Sequence, residues 1–216
     1  GHDIGAIYEM VISPDGKQLY ATNNTTGSIT VFDRNASTGA LTQKGGQEGC
    51  IKNGAATATC KGATAMNDPL GMAITPNGET LFVAVFSQNR ILVFNRDPAT
   101  GNINQKPGVN GCVSNAGDNV TCRDGRAMDG PYYLAVTADG KNLYVASFTN
   151  DSVNALAIDG SGNLTQVGDG AGGLGCVENV PANHPLDGCA DGRALDGPFA
   201  MNVDPVGATI YPAAYN

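Results

Sequence analysis

Six cysteines and the polar runs that follow them carry most of the chemistry legible in this chain. The cysteines are Cys50, Cys60, Cys112, Cys122, Cys176 and Cys189, separated pairwise by 10, 10 and 13 residues. Zinc sites draw on cysteines about two to four residues apart, joined by a second pair or by histidine. These pairs are wider, and the only histidines are His2 and His184. Six cysteines allow fifteen connectivities, of which the regular placement favours local bridges: Cys50–Cys60, Cys112–Cys122 and Cys176–Cys189. A loop of this length contributes about 2–3 kcal/mol in the chain-entropy account. Such bridges imply an oxidising compartment: extracellular, cell-surface or periplasmic.

After each second cysteine come CKGATAMNDP (60–69), CRDGRAMDGP (122–131) and CADGRALDGP (189–198). Asn67, Asp129 and Asp196 are equivalent, as are Asp124 with Asp191 and Arg126 with Arg193. A ring of such oxygens would suit Ca²⁺. The competing expectation is a turn whose carboxylate accepts neighbouring backbone N–H groups, with the arginines paired to nearby carboxylates. Hydrolysis of an acyl bond would need a general base and a means of stabilising the developing oxyanion. Glu9, Asp129, Asp196, Arg126 and Arg193 are the available groups. There is no G-x-S-x-G, H-E-x-x-H, P-loop or EF-hand pattern. His184 falls in the longer third cysteine loop, where a solvated role is expected. Asn-X-Ser/Thr triplets at Asn23, Asn24, Asn35, Asn119, Asn150 and Asn163 are glycosylation candidates, Asn119 being inside a cysteine loop.

The elements that must position these groups come from a repeat. YEMVISPDGKQLYAT (8–22), LGMAITPNGETLFVA (70–84), YYLAVTADGKNLYVA (132–146) and FAMNVDPVGATIYPA (199–213) align without gaps. Alternation of Tyr8, Met10 and Ile12 with Glu9 and Val11 predicts a strand with unlike faces. Pro-Asp-Gly or Pro-Asn-Gly then turns the chain, and Leu19-Tyr20-Ala21 and its equivalents begin a second strand. A third strand (Ser28 to Phe32) and a short fourth (Ala40-Leu41-Thr42) complete the unit. Four sequential antiparallel strands make a β-propeller blade. The expected units are 1–60, 61–122, 123–189 and a partial 190–216: an all-β segment of three blades and an inner hairpin, with disulfide-closed connectors. The connectors lead into the inner strand, so their polar residues are expected at the rim of the central channel. Tyr8, Tyr132, Tyr133 and Phe199, near the inner-strand starts, would form an aromatic platform or pack blade against blade.

The run ISPDGKQLYATNNTTGSITVFD (12–33) resembles the YVTN-type repeat of bacterial and archaeal surface propellers. Its continuation RNASTGALTQ is similar to the seven-bladed propellers of the 6-phosphogluconolactonase-like lactonase family. The resemblance implies a propeller fold and a possible lactonase activity, through framework residues that specify turns and packing.

Composition narrows the partners. The formal charge of −8 repels a phosphate backbone, which argues against nucleic acid. No apolar run reaches the ~18 residues of a membrane span. Three and a half units do not close a ring of about four to eight blades. The expected partner is therefore the remainder of a longer propeller chain, or a second copy completing the ring by self-association. With framework motifs and no catalytic constellation, the first functional expectation is a non-catalytic extracytoplasmic binding, scaffold or surface-assembly module. The alternatives are a lactone hydrolase, as the resemblance implies, and a Ca²⁺-dependent ligand-binding propeller using the Asp-Gly connectors.

Overall fold

A computed structural model describes residues 4–115, 117, 119–168, 175–179 and 188–215. His2 and His184 lie outside the described residues. Among the described residues, no helix is long and apolar enough to cross a membrane.

The first sheet contains β1 (Ile7–Ile12), β2 (Gln18–Asn23), β3 (Ser28–Arg34), β4 (Leu41–Gln43), β5 (Cys50–Asn53) and β6 (Lys61–Ala63). The second contains β7 (Pro69–Ile74), β8 (Thr80–Val85), β9 (Arg90–Arg96), β10 (Ile103–Gln105), β11 (Cys112–Asn115) and β12 (Arg123–Gly125). The third contains β13 (Pro131–Val136), β14 (Asn142–Ser147), β15 (Ser152–Ile158), β16 (Leu164–Gln166), β17 (Cys176–Glu178) and β18 (Ala190–Asp191). A hairpin of β19 (Ala200–Val203) and β20 (Ile210–Ala213) follows. The fold is a β-propeller segment of three blades and an inner hairpin.

Each blade departs from four plain antiparallel strands at its outer edge. The fourth strand is split: β4 pairs with the end of β3 at Phe32–Arg34, and β5 with its beginning at Ser28–Thr30. A short 3-10 turn, Gly46–Gly49, separates the halves. A further strand, β6, then runs parallel to β5. The second blade repeats the parallel pair as β11 with β12, and the third as β17 with β18. The residues just past the second cysteine therefore belong to the preceding blade, placing the unit boundary beyond residue 60. The six cysteines join as Cys50–Cys60, Cys112–Cys122 and Cys176–Cys189, with Cα separations of 4.7, 4.8 and 4.8 Å. Each bridge ties an outer strand to the approach of its parallel neighbour, where only three or fewer residues pair.

The apolar core lies in slabs between neighbouring blades. Tyr20, Ile29 and Val31 meet Met72, Val83 and Phe94 in the first slab; Phe82, Ile91 and Val93 meet Leu134, Val145 and Leu156 in the second. Alternating strand residues face opposite neighbours, so a blade in mid-segment reads as almost continuously apolar. All six residues of β8 are buried accordingly.

Arg96 is buried in the first slab with every polar group answered. Its guanidinium donates to the Tyr20 hydroxyl (2.6 Å), Gly78 O (2.8 Å) and Gln18 Oε1 (2.6 Å). The Tyr20 hydroxyl donates in turn to Gly101 O at 2.7 Å. The blades are thus docked by a polar bolt as well as by apolar area, and a buried cation is tolerable only with such a complete partner set.

Candidate functional site

The connectors do not bring their arginines to the channel. The backbone N–H of Arg126 donates to Gln166 Oε1 (2.6 Å) and the Gln166 side-chain amide returns a hydrogen bond to the Arg126 backbone O (3.1 Å), which pins this stretch of chain beside the outer strand β16 of the next blade. Thr64 makes the same reciprocal pair with Gln105 of β10. Arg193 is exposed beside Gly192 and Leu195 in a groove against β20. This corrects the expectation of an arginine rim. Immediately after these positions Ala65, Ala127 and Ala194 adopt left-handed backbone, with φ of 58°, 51° and 57°. That conformation costs an L-residue about 1–2 kcal/mol, and at Ala127 its carbonyl is held by Ser152 Oγ (2.6 Å) and Asn154 Nδ2 (2.7 Å). The kink sends the chain inward only after the arginine has passed.

Of the connector positions, Asp129 and Asn67 are each engaged by an asparagine 14 residues earlier. Asp129 accepts from Asn115 Nδ2 at 2.6 Å, and Asn115 Oδ1 accepts from Met128 N at 3.2 Å. Asn53 repeats this arrangement with Asn67 and Met66 N. Asp196 is exposed, and its carbonyl accepts from Tyr215 N. Asp124 and Asp191 are exposed. Among the described residues, no group of three His, Cys, Asp or Glu side chains is close enough to hold a metal ion.

Glu9 is different. The inner strands β1, β7, β13 and β19 lie side by side, and the first three carry irregular register at their starts: between Ile7 and Met10, Pro69 and Met72, and Pro131 and Tyr133. Bulges of this kind bend a strand and re-aim its side chains. Glu9 sits in the first of them. Its Oε2 accepts from Met72 N of the next blade at 2.7 Å. Burial pushes its carboxyl up to about 7, against the lowering effect of the Met72 N–H. A carboxyl of that character can take or give a proton near neutrality.

Thr22 holds the bulge in place, and sequence reasoning passed over it. Fully buried, its Oγ1 accepts from Glu9 N (3.1 Å) and donates to Leu70 O (2.7 Å), linking β1 to β7. The signal was a break in the repeat. Where this unit has Thr22 the others have Ala84, Ala146 and Ala213; where it has Glu9 they have Gly71, Tyr133 and Ala200. Gly71 is needed for a close approach: a Cβ there would stand 2.4 Å from Tyr132 O.

Two tyrosines, Tyr8 and Tyr133, lie within reach of the Glu9 charge. Tyr8 stands edge-to-face with Tyr132, their centroids 5.5 Å apart. Burial, then its hydrogen bond to Tyr132, keeps the Tyr8 hydroxyl protonated far above neutrality. Burial and then the Glu9 charge raise Tyr133 as well. Both phenols are therefore donors at working pH.

The glycosylation candidates fall into distinct environments. Asn23 is buried, with its amide on Thr30 Oγ1 (2.9 Å). Asn24, Asn150 and Asn163 are half-buried, Asn150 accepting from Asp129 N and Asn163 donating to Asp159. Asn35 and Asn119 are exposed in turns, where their Oδ1 atoms accept from Ser37 N (2.9 Å) and Asp124 N (3.0 Å).

Comparison with known proteins agrees with this architecture. Residues 8–111 match the family model described as lactonase, 7-bladed β-propeller. A 6-phosphogluconolactonase of Formosa agariphila is 37% identical over 98 residues, 44% of this chain and 24% of that protein. Among solved structures, a candidate 6-phosphogluconolactonase of Bacteroides fragilis superposes with a TM-score of 0.62 at 19% identity, covering 96% of this chain and 47% of the other. The periplasmic gluconolactonase of Pseudomonas aeruginosa superposes with a TM-score of 0.52 at 21% identity, covering 74% and 38%. The chain thus spans about a quarter of the curated relative and less than half of these solved ones. At such identities the superpositions speak to fold alone, while the sequence matches run toward lactonases rather than toward a purely structural module.

Proposed function

We propose, from the premise that this repeat is that of the lactonase-type seven-bladed β-propellers, that the chain supplies part of the channel wall of a lactone hydrolase with Glu9 as general base. The observation that carries the reading is the placement of Glu9: re-aimed by a bulge, tied to Met72 N, and raised to about 7. In its ionised form Glu9 takes a proton from water as that water adds to the lactone carbonyl. The tetrahedral oxyanion needs a donor, for which the Tyr133 phenol is available. As the ring C–O bond breaks, the protonated Glu9 returns its proton to the departing alkoxide, leaving an open-chain hydroxy acid. Atoms balance as lactone plus water giving hydroxy acid, with no redox change.

Three disulfides and the likeness to a periplasmic relative support a site of action outside the cytoplasm. The opposite channel wall is proposed to come from further propeller blades, in the same polypeptide or in a second copy. Solution mass under non-denaturing conditions distinguishes the two sources.

The catalytic test is hydrolysis of D-glucono-δ-lactone followed by acid release, corrected for the spontaneous reaction. Glu9→Gln is expected to lower the rate by about 10²–10⁴-fold. The parent rate should rise with pH through a midpoint near 7, because only the ionised carboxyl accepts a proton. A Glu9→Gln protein as active as the parent would refute the assignment.

A further inference from the structure

Six aromatic rings around the channel mouth have no part in the proton transfers above. They occupy two register positions of the repeat: the start of the inner strand (Tyr8, Tyr132, Phe199) and the segment just past the second strand (Phe86, Phe148, Tyr215). The rings form one chain of contacts, Tyr8 to Tyr132, Tyr132 to Phe86 and Phe148, Phe148 to Tyr215, and Tyr215 to Phe199. The spacings run from 5.0 to 6.1 Å along this path.

Their exposure separates them from the packing aromatics of the same protein. Tyr20, Phe82 and Phe94 are wholly buried between blades. Tyr132, Phe86 and Phe148, which stand between neighbouring blades of the segment, are only half-buried. This sequence can bury an aromatic completely, yet it keeps these three in partial contact with water. Glu9 adjoins one end, and its charge is felt by both Tyr8 and Tyr133.

We infer that this arc is the binding subsite for the C–H face of an uncharged, ring-closed sugar lactone, centred on Tyr132, and that it disfavours a phosphorylated one. The lactone identity rests on the hydrolase reading; the stacking role rests on the arc. A pyranose ring has an apolar face of axial C–H groups and a polar edge of hydroxyls. The negative face of an aromatic ring attracts the first, and a few convergent polar groups, here Glu9 and the phenols, suit the second. A phosphate dianion would meet the Glu9 carboxylate in a chain of formal charge −8, a repulsive element that sorts ligands by charge.

The probes are the non-hydrolysable lactam of gluconate and its 6-phosphate, titrated by calorimetry and by tyrosine emission, which no tryptophan obscures in this chain. The parent is expected to bind the neutral lactam more tightly than the phosphate. Tyr132→Ala should weaken the neutral lactam by up to about tenfold, while Tyr132→Phe, which keeps the ring, should stay within about threefold. Glu9→Gln should still bind the neutral lactam and should narrow the discrimination against the phosphate. Should Tyr132→Ala fail to fold, Phe148→Leu removes an adjoining ring and is expected to weaken binding in the same direction.

A folded Tyr132→Ala that binds the lactam as the parent does would overturn the inference, as would a parent that prefers the phosphate. Normal binding by Tyr132→Ala together with loss of hydrolysis in Glu9→Gln removes the arc and leaves the catalytic reading. Tyr132-dependent binding with full hydrolysis by Glu9→Gln does the reverse.

Discussion

Replacing Glu9 by Gln should make the protein more stable at alkaline pH and leave it nearly unchanged in acid. In the folded chain this carboxyl is raised from 4.5 to about 7, chiefly by burial. The folded state therefore holds the Glu9 proton through a pH range in which the unfolded chain has released it. Stability falls as pH rises wherever the native state binds more protons, so the loss begins near pH 4.5 and is complete above about 7. At about 1.4 kcal/mol per pH unit the full loss is roughly 3 kcal/mol. Gln keeps an oxygen for the Met72 N–H and never ionises. The assay is urea unfolding of parent and variant at intervals from pH 4 to 8.5. Other titrating groups are common to both proteins, so the difference between the curves isolates Glu9. A gap opening between about pH 5 and 7 and reaching a few kcal/mol is expected; curves that stay parallel would refute the burial argument.

Three further outcomes follow from the same geometry. Removing the Cys50–Cys60 bridge by paired Ser substitution should cost about 2–3 kcal/mol by the loop-closure account, read from urea midpoints against the parent. Gly71→Ala drives a Cβ to 2.4 Å from Tyr132 O and 2.9 Å from Tyr133 Cα. Backbone must move, so a loss of roughly 2–4 kcal/mol is expected in thermal unfolding, together with weaker lactam binding at Tyr132. Thr22→Val leaves Glu9 N and Leu70 O without their hydroxyl partner, whereas Thr22→Ser restores it. The valine variant should be less stable by about 1–3 kcal/mol with a displaced pH midpoint of hydrolysis, and the serine variant should recover both.

Features set by short-range chemistry were legible in the chain. The inner hairpins follow from alternation and from glycines such as Gly16 and Gly78, which take φ of 71° and 72° at the turns. The cysteine pairs follow from a spacing that closes locally. The split outer strand and its parallel companion were not legible, because β4, β5 and β6 are three or four residues long and carry no periodicity of their own. Asp129 was recognisable as a polar turn position but not by its partner, the side-chain amide of Asn115 rather than neighbouring backbone, and the course of the chain past Arg126 depends on the left-handed Ala127, a residue type with no preference for that conformation. Glu9 was visible as a rim candidate. Its raised proton affinity was not, since the groups that bury and hold it, Met72 among them, lie more than sixty residues away in the next blade.

The containment of each disulfide within one blade bears on how the chain is made. Partners 10 to 13 residues apart can meet as soon as both have emerged during synthesis, before the following blade exists. Oxidation can therefore proceed in chain order, with no thiol waiting for a distant partner and little opportunity for scrambling. The same containment makes the blade a heritable cassette: a duplicated or deleted unit carries an even number of cysteines and leaves no orphan thiol behind. A propeller built this way can change its blade number without changing its redox chemistry.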